Sequence, residues 1–293
     1  KGYIICLAYN LLNHMKKYII SIIYFLAGIC TTNAKEYVPK VRFESLRSDF
    51  LPSNEVRKLY QDSDGFIWIP TYNGLARYDG YDVLSYGTKD VVEGTFNPFV
   101  NVVEEDNCKN LWIGTECGLF RLDKITGNII ADEYPELKDC NISAIIADDS
   151  GLWVGGDKGL YYKDNQKNDF EWLPLSYTDG HKLQAVTSIV KDAHMNLWIA
   201  SFGKELLRYD VKKNISYPYD HPILNNSHVL KFDSHENLWV GTWGHGLICL
   251  KNPYSLEDMT YTQFTHDSAN SSSILDNIIY AIEENKEDGS IWA

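Results

Sequence analysis

The chain of 293 residues is short of positive charge: 27 lysines and arginines face 40 aspartates and glutamates, a formal net charge of −13. Neutralising a phosphate backbone takes a clustered basic surface. The basic runs here are as short as Lys212-Lys213, so nucleic acid is excluded as a partner of this region. A strongly anionic polysaccharide is disfavoured too, unless a local basic pocket overrides the net field. Cysteine is scarce, 6 in all, and Cys108, Cys117, Cys140 and Cys249 lack the spacing of a zinc site. The long apolar run, Tyr18 to Ile29, falls well short of the ~20 residues that span a bilayer. Histidines are scattered, and the Asp-rich segments lack the ligand spacing of a calcium loop. The sequence therefore names no catalytic residue, no metal ligand and no cofactor.

What the chain does have is a repeat. Trp68, Trp112, Trp153, Trp198, Trp239 and Trp292 recur at spacings of 44, 41, 45, 41 and 53 residues. Each sits in a version of one phrase: Asp62 to Ile69, Asp106 to Ile113, Asp148 to Val154, Asp192 to Ile199, Asp233 to Val240, and a looser Asp288 to Ala293. A period near 40 to 45 residues is that of a propeller blade. Read against one another, the copies share one order of signals. A short β-branched run (strand A) such as Val100–Val103 or Val186–Val190 precedes an Asp/Asn/Gly/Ser turn, where Gly and Asn tolerate positive φ and Asp bonds its own backbone. Strand B carries the Trp. A small-residue turn such as Thr71–Gly74 leads into an alternating strand C such as Leu75–Tyr78, and a weaker strand D such as Val83–Tyr86 or Tyr261–Phe264 follows. Four antiparallel strands per repeat predict an all-β fold, a β-propeller fragment of about five four-stranded blades plus the start of a sixth. The recurring Trp is assigned to the wedge between neighbouring sheets, as core rather than as a ligand platform.

The phrase resembles the regulator-propeller repeat, close to Asp-x-x-Gly-x-Leu-Trp-Ile-Gly-Thr-x-x-Gly-Leu, of the periplasmic sensors in bacterial hybrid two-component systems. The matches run from about Leu51 to Ala293, and residues 62 to 79 with the following Gly80-Tyr81 carry the resemblance best. Departures are local: Pro70 and Ala200 stand where Gly is usual, Gly156 replaces Thr, and Ser201–Glu205 lacks the Gly-Leu. Pro70 predicts a bend or bulge at the end of its strand. The resemblance implies a homodimeric, inner-membrane-anchored parent in which two propellers, a β-sandwich, a membrane helix, a histidine kinase, a receiver and a DNA-binding output domain follow one another. It implies an oligosaccharide ligand and control of glycan-utilisation genes. The membrane would be met only through those later segments, and this region would not itself be catalytic. A related seven-bladed lyase makes a stand-alone exported enzyme the rival reading, and a protein-binding propeller is the third.

The amino terminus reads as an export signal: Met15-Lys-Lys17, the apolar stretch to Ile29, and cleavage after Ala34. Residues 1–34 are therefore assigned to upstream sequence and signal peptide, and 35–293 to an incomplete amino-terminal propeller in the periplasm. Loss of the leader leaves 24 basic against 40 acidic residues. Export permits disulfides, and Cys117 and Cys140 would emerge on one face, but free thiols are the default.

In a propeller the D–A connections and B–C turns share one face. The positions that vary on the repeated scaffold there are the candidates for ligand binding: Asn54 and Asn101 ahead of strand A, Tyr72 and Asn73, Lys158, Lys204, and Trp243 with His245. Trp243 is a turn Trp outside the strand B series, suited to stacking on the apolar face of a sugar ring while His, Asn and Lys bond its hydroxyls.

Overall fold

The computed structural model describes residues 51–87, 98–130, 134–255 and 258–293, so the leader assigned to 1–34 lies outside the described residues. Alternating side chains and turn clusters form five four-stranded antiparallel sheets. The first blade contains β1 (Tyr60–Gln61), β2 (Ile67–Thr71), β3 (Gly74–Tyr78) and β4 (Val83–Tyr86). The second contains β5 (Val100–Glu105), β6 (Leu111–Thr115), β7 (Gly118–Leu122) and β8 (Ile129–Ile130), and the third β9 (Ile142–Ala147), β10 (Gly151–Gly156), β11 (Gly159–Asp164) and β12 (Glu171–Leu173). The fourth runs through β13 (Val186–Lys191), β14 (Leu197–Ser201), β15 (Leu206–Asp210) and β16 (Ile215–Tyr219), and the fifth through β17 (Ser227–Phe232), β18 (Leu238–Thr242), β19 (Leu247–Lys251) and β20 (Thr260–Phe264). A two-stranded sheet, β21 (Glu283–Glu284) with β22 (Ile291–Trp292), follows. Among the described residues no helix is long and apolar enough to cross a membrane.

Four strand B Trp residues share a core cluster with residues of the blade that follows: Trp68 with Val103, Leu111 and Ile113; Trp112 with Ile145, Leu152 and Val154; Trp153 with Ile189 and Leu197; Trp198 with Leu230, Leu238 and Val240. These four rings are at most 5% exposed, so each adds the ~1.5–3 kcal/mol of a buried large apolar side chain to a blade-to-blade seam. Core packing does not extend to all six. Trp239 is half-buried beside Ile279, Ile282 and Ile291, and Trp292 is 48% exposed, because the first has only the two-stranded sheet to lean on and the second has no blade against it among the described residues.

The Asp that opens the phrase does two jobs, one of which only the structure reveals. In four blades its Oδ1 accepts backbone N–H groups two and four residues on, as Asp192 does from His194 and Asn196 at 2.9 Å each, and so closes the A–B turn. Its Oδ2 accepts the indole Nε1–H six residues on: Trp68 to Asp62 at 2.8 Å, Trp112 to Asp106 at 2.8 Å, Trp198 to Asp192 at 3.0 Å and Trp239 to Asp233 at 2.9 Å. The expectation that Asn would take the positive φ is corrected. Lys109, Met195 and Glu236 adopt it, and the Asn after each instead donates its side-chain amide to the Asp.

Glycine in the Trp-Ile-Gly phrase is a matter of space. A Cβ on Gly114 would lie 2.6 Å from Ile142 and one on Gly155 2.5 Å from Val186, each the first residue of the next blade's inner strand, and one on Gly241 would lie 2.7 Å from Ile279, ahead of β21. Where the fourth blade has Ala200, Ser227 stands at that starting position in the next. The bulge expected from Pro70 is present in a different sense. The A–B register shifts by one residue at this level in the second, third, fourth and fifth blades, which carry no proline there. In the first blade the Val56↔Thr71 bridge and the Tyr60↔Trp68 pair differ by the same single step. The bulge belongs to the repeat, and Pro70 occupies a place where the ladder is already interrupted.

Candidate ligand-binding face

One backbone hydrogen bond recurs in all five blades and fixes which loops share a face. The N–H that opens each B–C turn donates to a carbonyl just ahead of or at the start of strand A: Tyr72 to Glu55 (3.1 Å), Glu116 to Phe99 (3.2 Å), Asp157 to Asn141 (3.0 Å), Phe202 to Ala185 (3.0 Å) and Trp243 to Asn226 (2.9 Å). On this face the inner strands are also stitched to one another. In the second, third and fourth blades the second residue of the inner strand reaches the carbonyl of the first residue in the next: Asn101 Nδ2 to Ile142 O at 2.9 Å, Ser143 Oγ to Val186 O, and Thr187 Oγ1 to Ser227 O at 3.4 Å.

The stitching stops at His228. Its Nδ1 is buried without a hydrogen-bond partner among the described residues, and its ring meets Trp243 edge-on at 5.5 Å and Tyr280 at 6.1 Å. Burial pushes the imidazole pKa down, favouring the neutral ring. Trp243 also contacts Tyr280 at 5.5 Å and Phe202 at 6.1 Å, both edge-to-face. Phe202 is 57% exposed, Trp243 39% and Tyr280 67%, so three aromatic side chains remain open to solvent around a neutral imidazole.

The structure divides the sequence-derived candidates. Trp243 sits at the centre of this aromatic group. His245 stands two residues away in the same turn, half-buried, its N–H bound to Thr242 Oγ1 and its carbonyl to Gln263, and it makes no ring contact within the group. Asn101 belongs inside β5 rather than ahead of it, and its amide serves the stitching, with a further bond to Asn141 at 2.9 Å. Lys158 donates to the carbonyl of Lys138 at 3.0 Å, and Lys204 pairs with Asp179 at 2.7 Å. Both lysines therefore already have partners within the fold. Tyr72 and Asn73 lie exposed in the first blade with Asn54, where the Tyr72 ring meets Phe99 at 4.0 Å and Arg57 at 5.7 Å. Sequence reasoning missed Tyr280. It aligns with Asn101, Ser143, Thr187 and His228 at the second inner-strand position, a correspondence obscured by the looser sixth repeat.

Two further expectations meet the structure here. Cys117 and Cys140 form no disulfide with each other: the Cys140 thiol is free, pushed up to about 12 by burial and by Asp157, and donates to that carboxylate at 3.2 Å. On the opposite face Asp62, Asp64 and Glu105 converge as a metal site would, but the Lys124 ammonium lies among them at 3.2, 2.7 and 2.5 Å. Cations of the chain itself, Lys124 and, on Asp64 at 2.7 Å, Lys109, already pair with that cluster.

Radial four-stranded sheets with inner strand A define a β-propeller. Residues 51–73 match the family described as Two component regulator propeller, so the chain carries the repeat that its sequence resembles. Among solved structures it is similar to the extracellular domain of the hybrid two component system BT3049 from B. thetaiotaomicron, with 19% identity over 85% of this chain and 40% of that one and a TM-score of 0.65. The corresponding domain of BT4673 from the same organism is 23% identical over 81% of this chain and 36% of that one, with a TM-score of 0.60. Virginiamycin B lyase from Staphylococcus aureus is 18% identical over 75% of this chain and 73% of its own, with a TM-score of 0.59. The chain thus spans well under half of the two sensor domains it resembles. A search of curated proteins gave no match.

Proposed function

We propose that this propeller is the exported, ligand-sensing part of a hybrid two-component regulator, and that it binds an oligosaccharide to control glycan-utilisation genes. The observation that carries the ligand reading is the open aromatic group of Phe202, Trp243 and Tyr280 on the B–C face. An aromatic side chain presents an apolar surface to the C–H side of a pyranose, and the neutral His228 at its base offers a ring nitrogen to a hydroxyl. The regulator-propeller repeat and the likeness to extracellular domains of hybrid systems support the setting: a periplasmic region of a homodimeric parent that is anchored in the inner membrane and carries a histidine kinase. Signalling then requires the sugar to bind one arrangement of the dimer more tightly than the other. The rival lyase reading needs a base and a metal ligand beside a histidine at the channel mouth. Burial is the one influence acting on the pKa of His228, and its neighbours are rings.

Calorimetric titration of the intact sensor region with a panel of short neutral glycans tests the proposal. At least one glycan binds, and Trp243→Ala weakens it about three- to tenfold, the worth of one aromatic contact, with the melting temperature little changed. Unaltered affinity in the variant removes Trp243 from the site.

A further inference from the structure

The face opposite the aromatic group, where the A–B and C–D turns lie, holds a cavity of about 390 Å³. It is lined by His194 from the A–B turn of the fourth blade, by Arg208, Asp210, Lys212 and Lys213 from the end of β15 and the turn after it, and by Tyr254 from the fifth blade. In a chain with net charge −13, three permanent cations against one carboxylate make this wall unusual. We propose that the cavity is a binding site for a small oxyanion, a carboxylate or a sulfate-type group.

The donors and their partners point to an anion. Elsewhere Lys109, Lys124, Lys167, Lys191, Lys204 and Lys231 each meet a carboxylate of the chain. Here Lys213 alone does so, reaching Asp210 at 3.1 Å. Arg208 donates Nη1 to the backbone carbonyl of Tyr254 at 2.9 Å, and its Nε is buried with no partner among the described residues. The buried Tyr254 hydroxyl likewise has none. The guanidinium is held over Tyr217 at 4.6 Å and near Trp198 at 5.8 Å, while the His194 ring packs against Tyr254 at 4.9 Å. A guanidinium clamped between aromatic rings loses little freedom on binding, and its planar fork suits oxyanions bidentately. Lys212 and Lys213, exposed at the rim, add point charges. Asp210 is already paired with Lys213, and Asp192 and Glu236 also act on Tyr254, so it is the unpartnered donors of Arg208 and Tyr254, rather than net charge, that point to an anion and away from a metal cation. Two adjacent lysines on an acidic chain are too few to follow a nucleic acid backbone.

The experiment is a titration of the intact protein with sodium sulfate, sodium acetate and sodium chloride at constant ionic strength. It follows the ¹⁵N-labelled Arg208 Nε–H resonance and the His194 ring signals. A saturable shift of Arg208 and His194 with sulfate, with acetate or with both is expected; the preferred ion tells a tetrahedral from a planar group. The Lys212→Ser/Lys213→Ser double variant changes two exposed side chains of the turn, and weakens the response about tenfold or more with the melting temperature little changed. Equal shifts with chloride, no saturation with either oxyanion, or full affinity in the double variant overturns the proposal. Arg208→Lys, which keeps the charge and removes the fork, is the second variant, and retains weaker binding.

Discussion

The third blade and the fourth run the same phrase with one residue of difference, and that residue decides where an indole proton goes. In the fourth, six positions separate Asp192 from Trp198, and the carboxylate holds the ring nitrogen at 3.0 Å. In the third, five separate Asp148 from Trp153, the turn closes tighter through Ser150 and Gly151, and Trp153 Nε1 is buried without a partner among the described residues. The freed carboxylate oxygen turns instead to Lys191 on the next blade's inner strand. The Trp153 ring itself stays in place, 2% exposed and tilted against Tyr162 at 4.1 Å where strand C of the fourth blade has Arg208. Ring burial is what the blades have in common, and the polar clamp is an addition that one of them does without.

The largest expected effect separates the two turns directly. Asp192→Ala strands a buried indole N–H and the Asn196 amide as well as opening the turn, and is expected to lower unfolding free energy by about 2–4 kcal/mol. Asp148→Ala loses the turn bonds and a partly exposed ion pair, for about 1 kcal/mol. Chemical denaturation of both variants measures the gap, and equal losses would mean that the clamp contributes nothing. Next in size is Trp→Phe. Trp198→Phe leaves the Asp192 carboxylate short of a donor and is expected to cost about 1–2 kcal/mol more than Trp153→Phe, which deletes an N–H that had no acceptor. Thermal melts of the pair are the check, and the reverse order would refute the assignment of the clamp.

The smallest effect concerns pH. Burial works to raise the Asp148 pKa, but the bonds from Lys191 and Ser150 outweigh it and hold the carboxyl below its ordinary value. A carboxylate depressed on folding contributes stability that is present above its unfolded pKa of about 4 and is lost as pH falls through the folded value. Lys191→Met is therefore expected to flatten the acid-side slope of stability below about pH 4 and to leave that near pH 7 changed by less than about 1 kcal/mol. Denaturation curves from pH 2 to 7 read this out, within the range where carboxylates titrate.

Strand order and the shared face of the B–C turns were legible because five imperfect copies could be laid over one another, and Val100, Ile142 and Val186 announce their inner strands in any of them. The clamp was not. Asp106 and Trp112 look like a turn signal and a core residue, and nothing in their types says that one oxygen closes the turn while the other meets the ring. Lys109, Met195 and Glu236 carry no sequence sign of a left-handed backbone, since the fold imposes it on whatever stands there. Within the candidate face, Trp243 was visible as an odd turn residue, whereas Lys158 and Lys204 proved to be held by a carbonyl and a carboxylate. The oxyanion cavity joins Arg208 to Tyr254 across 46 positions, a distance at which single residues leave no pattern.

The exchange of size between Gly155 and Val186, or between Ala200 and Ser227, has an evolutionary consequence. Repeats that arose by duplication begin as interchangeable copies, and a methyl group gained on one side of a seam ends that. A blade bearing Ala200 accepts as its successor a strand opening with a small side chain, so copying the fourth blade into the third's place by recombination would set Ala200 against Val186. Such seams record the order of the copies, and shuffled progeny would be selected against before any ligand was met.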